Sequence, residues 1–315
     1  MAQLDAQITY TGAVTAVTLG PPGREVTVGG ETSYPFHLFE GSMPHRPKIA
    51  LEVIDTGPGE GFAAIDSVFG DALNDPASWA KKAVGEHKPD LICLTLFGTD
   101  PNGRDDPPAK AVQTVQSVLA EIDVPLVVWG SGNETKDAAV LKAVAESCQE
   151  TPLVLGPVTD GNYKQIGASA LAYGHVVIAS SPIDINLAKQ LNILLENLGI
   201  PANRILIDPT VGGLGYGFEY TYSVMERIRI AALTAGDEKL RSPLFCHVAG
   251  EVWKTKEARL TAKDAPLLGD PAVRGVLMES MTAQGMLLAG ADVLVLRHPE
   301  TARLMKWFID EMNAQ

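Results

Sequence analysis

The chain has 315 residues, 46% hydrophobic and 20% charged, which supports a sizeable core and argues against disorder. Lys and Arg number 25 against 38 Asp and Glu, a net charge of −13 that points away from nucleic acid, whose binding rests on cations neutralising phosphates. No apolar run reaches the roughly 18–20 residues that span a bilayer, and Met1–Tyr10 lacks a signal peptide's basic-then-apolar layout, so a soluble cytoplasmic protein without membrane contact is expected.

In chain order, Ile8–Leu19 and Glu25–Gly29 read as two strands joined by the Gly20-Pro21-Pro22-Gly23 turn. Residues 1–47 are therefore expected to form an N-terminal β-hairpin extension that plugs the N-terminal end of the main unit. Eight short apolar runs follow: Lys48–Ile54, Leu91–Leu96, Pro125–Trp129, Pro152–Leu155, His175–Ala179, Arg204–Ile207, Leu244–Val248 and Asp292–Leu296. Most are continuously apolar, as strands buried on both faces should be. Helical spacing lies between them, in Leu187, Leu191, Leu194, Leu195 and Leu198, in Val224, Ile228 and Ala231, and in Leu304, Trp307, Phe308 and Met312. Asn74-Asp75-Pro76 marks a helix start, and Gly199 followed by Pro201 marks an end. Strand then helix, eight times over residues 48–315, predicts an α/β fold, a (β/α)₈ TIM barrel with its hairpin extension, one domain overall.

Cys93, Cys148 and Cys246 are far apart, with no CxxC pair and no His at ligand spacing. Disulfides and a metal or iron–sulfur site built by this chain alone are not expected, and Cys93 and Cys246 read as buried small hydrophobes. The working face of such a barrel is the rim after each strand, where Asp55–Leu73 and Ala249–Pro271 are the longest excursions. The stretch Asp208-Pro209-Thr210-Val211-Gly212-Gly213-Leu214-Gly215-Tyr216-Gly217 puts four glycines in six positions. It suits either a ligand-binding loop or a tight strand-to-helix turn, and it is neither a P-loop nor a dinucleotide fingerprint. Ser181, Asp184 and Asn186 follow the fifth run, where they suit a heterocycle's donors and acceptors or a helix cap. Asp55, Asp100 and Asp208 stand just past strand ends, in position for acid–base work or for holding loops. No Lys stands at a strand's C-terminal end, no HxH occurs, and no nucleophile elbow is present; His247 and His298 read as structural. No catalytic residue and no metal ligand is assigned.

Five stretches carry a resemblance: VGGETSYPFHLFEG (Val28–Gly41), ALEVID (Ala50–Asp55), SPIDINLAKQLNILL (Ser181–Leu195), DPTVGGLGYGFEYTYSVMERIR (Asp208–Arg229) and LRHPE (Leu296–Glu300). Through them the chain resembles the small, or delta, subunit of the corrinoid iron–sulfur protein of the CO dehydrogenase/acetyl-CoA synthase system. That resemblance implies a barrel paired with a large corrinoid iron–sulfur subunit, with a cobalamin shared between the two and the iron–sulfur cluster on the partner. It implies methyl transfer from a methyltetrahydropterin, through a methyltransferase, to acetyl-CoA synthase, both as transient partners. On this reading Gly212, Gly213, Gly215 and Tyr216 contact the corrinoid, with Ser181 and Asn186 next and Asp184 and Asp208 beside them. No DxHxxG occurs, so the lower cobalt ligand is not expected here. The alternative is a methyltetrahydropterin:corrinoid methyltransferase with pterin in the barrel mouth, Asp184, Asn186 and Asp208 being the pterin groups. A phosphate-binding lyase or isomerase using the glycine loop is a third option.

Overall fold

Eight parallel strands close on themselves: β3 (Lys48–Ile54), β4 (Leu91–Thr95), β5 (Leu126–Trp129), β6 (Val154–Val158), β7 (Val176–Ser180), β8 (Ile205–Asp208), β9 (Leu244–His247) and β10 (Ala291–Leu296), with β10 bonded to both β9 and β3. Before them, β1 (Val17–Leu19) and β2 (Val26–Val28) make an antiparallel hairpin. The computed structural model describes residues 7–59, 62–212, 214 and 217–314; Gly213, Gly215 and Tyr216 lie outside the described residues. Around the barrel run α1 (Ala63–Phe69), α2 (Pro76–Lys82), α3 (Pro108–Glu121), α4 (Glu134–Ser147), α5 (Tyr163–Tyr173), α6 (Ile185–Leu198) and α7 (Phe218–Leu233), then two short helices, α8 (Val248–Val252) and α9 (Lys256–Arg259), and finally α10 (Pro271–Ala289) and α11 (Pro299–Asn313).

The strands form where apolar residues run without interruption, because helices cover the outside and side chains fill the inside. Every residue of β4, β6, β8, β9 and β10 is buried. The eight expected runs all become strands. The largest shift is in β6, which starts at Val154 and continues through Gly156-Pro157 to Val158. The helix signals also hold: Asp75 caps α2 by accepting from the Ser78 amide at 2.9 Å, and Gly199 ends α6 at φ 106°. Cys93, Cys148 and Cys246 are buried free thiols.

Three expectations are corrected. The hairpin strands have three residues each, and residues 8–16 are not strand. Their amides bond elsewhere: Thr11 and Gly12 donate to the Leu233 carbonyl at the end of α7, Thr15 to that of Arg241, and Val14 to that of Glu31. The extension thus lies across the N-terminal ends of the strands, with Val17, Leu19 and Val28 fully buried. Two residues of the helical stripes face outward, Leu187 at 42% and Trp307 at 59% exposure, while Ala188 and Met305 take inner positions. The long rim excursions are not bare loops, since the first contains α1 and the second contains α8 and α9.

The second excursion is held by one side chain. Arg274, buried on α10, donates Nε to the Leu268 carbonyl at 2.9 Å, Nη1 to those of Glu257 and Leu260 at 3.0 and 2.8 Å, and Nη2 to that of Gly269 at 2.8 Å. Removing it strips the segment of four bonds to a charged donor, each worth about 1.5–3 kcal/mol when buried and less here, where water can replace some. Arg274→Ala is expected to expose Lys254, Lys256, Arg259 and Lys263 to trypsin while near-ultraviolet circular dichroism of the barrel stays unchanged. Equal digestion of both proteins would show that the segment is held by other means.

The barrel mouth as the candidate functional site

At the C-terminal ends of the strands lies a cleft of about 310 Å³ lined by Phe97, Trp129, Ser131, Asp208, Thr210, Val211, His247, Gly250, Glu251 and Lys254. Its floor is aromatic. The Trp129 ring, at the end of β5, stacks on Phe245 with centroids 5.5 Å apart and lies 5.0 Å from the His247 ring.

Beside this floor sits a charged group with no access to water. Glu52, from the middle of β3, is fully buried. Its carboxylate accepts from Arg297 Nε at 2.7 Å and from the Thr95 hydroxyl at 2.9 Å, and it lies 3.5 Å from His247 Nε2. Burial alone would lift the Glu52 carboxyl, but the Arg297 guanidinium and the Thr95 hydroxyl bring it below the ordinary glutamate value. Burial lowers His247, so its ring is neutral at pH 7. His247 Nδ1 accepts from the Gly250 amide at 3.1 Å, which assigns the ring proton to Nε2. That Nε2 is buried without a hydrogen-bond partner.

Arg297 is itself placed by a second buried acid. Glu279 of α10 accepts the Arg297 amide at 2.7 Å, the His298 amide at 3.1 Å and Trp253 Nε1 at 2.9 Å. His298 then caps α11 by accepting from the Glu300 amide at 3.1 Å. This accounts for the Leu296–Glu300 stretch: one residue reaches into the barrel, the next starts a helix.

Asp208 ends β8, opposite Ser180 of β7 in the ladder. Its carboxylate accepts from the Ser180 hydroxyl at 2.8 Å and the Thr210 amide at 2.9 Å. Burial, with a smaller push from Glu251, raises it from 3.8 to about 6, although both hydrogen bonds oppose the shift. Thr210 stands at φ +63°, rare for a β-branched residue, and it is held there from both sides. Its hydroxyl donates to the Ser181 carbonyl at 2.6 Å, and the Thr221 hydroxyl donates to its carbonyl at 3.2 Å and to that of Gly212 at 3.1 Å.

Of the candidates read from sequence, Asp208 lines the cleft. Ser181 is buried, its hydroxyl lacks a partner, and its amide donates to the Asp208 carbonyl at 3.1 Å. Asp184 caps α6 by accepting the Asn186 and Leu187 amides, and Asn186 is exposed on that helix; neither lines the cleft. Gly212 bonds its amide to the Thr210 carbonyl at 2.8 Å. Gly213, Gly215 and Tyr216 lie outside the described residues. The other rim acids hold loops: Asp55 accepts the Gly98 amide, Asp100 that of Asn102, and Asp137 those of Ser131 and Gly132. His298 is structural, as read; His247 caps α8 and also lines the cleft.

Trp129, Phe97, Ser131, Glu52 and Arg297 were missed. Glu52 and Arg297 did leave a trace, the first as an acid inside the Lys48–Ile54 run and the second as the cation directly after Leu296. Among the described residues no group of three or more His, Cys, Asp or Glu could hold a metal ion, and no helix is long and apolar enough to cross a membrane.

The barrel is similar to that of dihydropteroate synthase from Xanthomonas albilineans, at a TM-score of 0.60 and 14% identity over 94% of this chain and 99% of that one. The Thermus thermophilus enzyme aligns at a TM-score of 0.56 with 14% identity, covering 93% of this chain and 98% of that one. Those likenesses concern the fold. In sequence the chain is 36% identical over 94% of its length to the acetyl-CoA decarbonylase/synthase complex subunit delta of Archaeoglobus fulgidus, and 35% identical over 91% to that of Methanosarcina mazei. It spans about two thirds of those relatives, 68% and 66% of their lengths. With the family profile matching residues 16–309, the chain belongs to the CO dehydrogenase/acetyl-CoA synthase delta subunit family.

Proposed function

We propose that this chain is the barrel subunit of a corrinoid iron–sulfur methyl carrier, covering with its mouth a cobalamin held by a larger partner subunit. The observation that carries the reading is the size and lining of the cleft. At about 310 Å³ it lies at the low end of small-molecule sites, which run about 300–1,000 Å³. It suits an edge or substituent of a macrocycle whose bulk rests on another chain. The lining fits such an edge: the Trp129 ring and the half-exposed Phe97 ring for the apolar rim, and Ser131 for peripheral amides. Gly212, Gly213, Gly215 and Tyr216 are the loop we assign beside it, with Ser181, Asp184, Asn186 and Asp208 around it. When bound, the corrinoid supplies the cobalt that accepts and yields a methyl group. The chain's own part is to exclude water from one face and to orient the ring, with the iron–sulfur cluster on the partner. Methyltransferase and acetyl-CoA synthase would then be successive partners in the acetyl-CoA pathway.

The test is cobalt content and visible absorption of the heterodimer co-purified with the large subunit. Gly213→Leu and Phe97→Asp are each expected to lower cobalt per heterodimer about tenfold after gel filtration, the equivalent of roughly 1.4 kcal/mol, with barrel circular dichroism unchanged. Cobalt equal to wild type in both variants rejects the reading. One observation favours a second reading, methyl transfer from a methyltetrahydropterin by the barrel itself: Asp208, at the cleft wall, titrates near pH 6 and could exchange a proton with a bound heterocycle. Saturable binding of methyltetrahydrofolate by the chain alone would support that; no heat of binding supports the cover.

A further inference from the structure

Two of the sequence stretches singled out above meet at the N-terminal end of the barrel, away from the mouth. Glu31 and Ser33 come from Val28–Gly41, and Arg229 closes Asp208–Arg229. With Asp292, at the start of β10, they line a cavity of about 10 Å³ whose other lining residues are apolar. That is the space of one water molecule.

All four polar side chains are at most 5% exposed. Arg229 Nη2 donates to the Gly290 carbonyl at 2.6 Å and to the Asp292 carboxylate, which also accepts the Leu244 amide at 2.6 Å. Nη1 is left over. Among the described residues it is buried without a partner, as is the Ser33 hydroxyl, and neither Glu31 carboxylate oxygen receives a hydrogen bond. Buried polar atoms without partners are costly, and several around one cavity point to something that fills it.

Chemistry selects the occupant. Arg229 Nη1 is a donor, so the occupant must accept; the Glu31 oxygens are acceptors, so it must also donate. Water does both, whereas a sodium or potassium ion cannot accept from the guanidinium. The charges then leave a remainder. Glu31 and Asp292 against Arg229 make a net −1 away from bulk water, which one proton cancels. The two carboxyls lie within bonding reach of each other, and that contact needs a proton on one of them, since carboxylate oxygens only accept. Burial and the Asp292 charge push the Glu31 carboxyl well above its ordinary value, against the pull of Arg229. No further charge lines the cavity: α10 and the 43–47 segment contribute Leu287, Met43 and Pro47, and His45 is not in the lining. The Cys246 thiol of β9, which Asp292 and Arg229 also influence, is kept protonated by burial.

We infer that Glu31, Ser33, Arg229 and Asp292 form an internal site for one water molecule and one proton, and that the protonated site latches the N-terminal extension onto the barrel. Backbone bonds join this site to the extension's first segment: Val14 donates to the Glu31 carbonyl at 2.9 Å, and Gly30 to that of Val14 at 3.1 Å. The latch is complete below the ordinary glutamate value. It is lost as pH rises through the raised one, where an uncompensated charge would stand in the cavity.

The test follows amide hydrogen exchange of the whole chain from about pH 6 to about pH 9, in wild type and in Glu31→Gln. Glutamine keeps an oxygen for the water and offers Nε2–H to Asp292 in place of the proton, so the variant is expected to fold. In wild type the protection of the Val14 and Gly30 amides should fall about tenfold per pH unit above the raised value, the effect of one proton, while the amides of β5 hold. In Glu31→Gln the protection should stay level. Level protection in wild type, or the same fall in both proteins, overturns the latch. The occupant is read separately, in a crystal structure grown near pH 6, where one water should bond Arg229 Nη1 and Glu31. An empty cavity overturns the water site. So does protection that rises with NaCl or KCl but not with tetramethylammonium chloride at equal ionic strength, since that would put a cation there.

Discussion

Replacing Arg297 with methionine is expected to cost about 3–5 kcal/mol of unfolding free energy, the usual penalty for leaving one member of a buried ion pair alone. Glu52 is fully buried and Arg297 is 4% exposed, so neither charge can turn to water. The Thr95 hydroxyl remains a partner after the substitution, and the neutral His247 ring at 3.5 Å is a poor replacement for a cation. The sign with pH is definite. In wild type the Glu52 carboxyl sits below its ordinary value, so the pair stabilises the fold at neutral pH and that contribution fades as pH falls through the lowered value. In the variant the carboxyl is expected above its ordinary value, so stability falls as pH rises. The gap between the two proteins in urea melts should therefore widen from pH 5 to pH 8. Glu52→Gln added to the variant should recover most of the loss. A gap under about 1 kcal/mol, or no recovery, would mean that the pair is not what holds β10 to β3 at the mouth.

The second large effect runs the other way. Asp208→Asn is expected to stabilise the protein at pH 8 and to leave it unchanged at pH 4. The carboxyl is raised from 3.8 to about 6 by burial, so its favourable contribution is complete below pH 3.8 and is lost as pH rises through 6. Two units at about 1.4 kcal/mol each set an upper bound of about 3 kcal/mol. Asparagine keeps Oδ1 to accept the Thr210 amide, and its Nδ2 can donate to the Ser180 hydroxyl, which reverses that bond, so the turn should survive. Thermal melts across pH 4–8 decide it. A variant that instead loses stability relative to wild type as pH rises from 4 to 8 would show that the charged form is required by the Asp208–Thr210 turn itself.

The barrel was legible because its signal is local and repeated. Eight apolar runs of strand length, each followed by helical spacing, need no knowledge of what pairs with what. Misreadings arose where local pattern and tertiary partner diverge. Residues 8–16 are strand-like in composition, yet their amides bond to the end of α7 and to Arg241, which no sequence period reveals. Gly156-Pro157 resembles a strand stop after Leu155, whereas β6 continues to Val158. Leu187 and Trp307 fit a helical stripe but stand a step off its buried centre.

The site was half legible for the same reason. Asp208 could be found because a carboxylate directly after a strand points to the mouth. Asp184 lies four residues beyond β7, where its extended backbone turns the carboxylate onto the amides of α6. The Glu52–Arg297 pair joins residues 245 positions apart. Trp129 meets Phe245 and His247 only because β5 and β9 face each other across the barrel. Such constellations exist in the register of the closed sheet, not in any window of sequence.

The Trp129 ring that lines the cleft rests on the fully buried Phe245 ring, so the floor of the mouth is packed from below. Under the proposed cover, residence time at the mouth belongs to the subunit above it. Exchange would be governed by how often a neighbouring chain lifts away, and a measured off-rate would report on that neighbour rather than on the barrel.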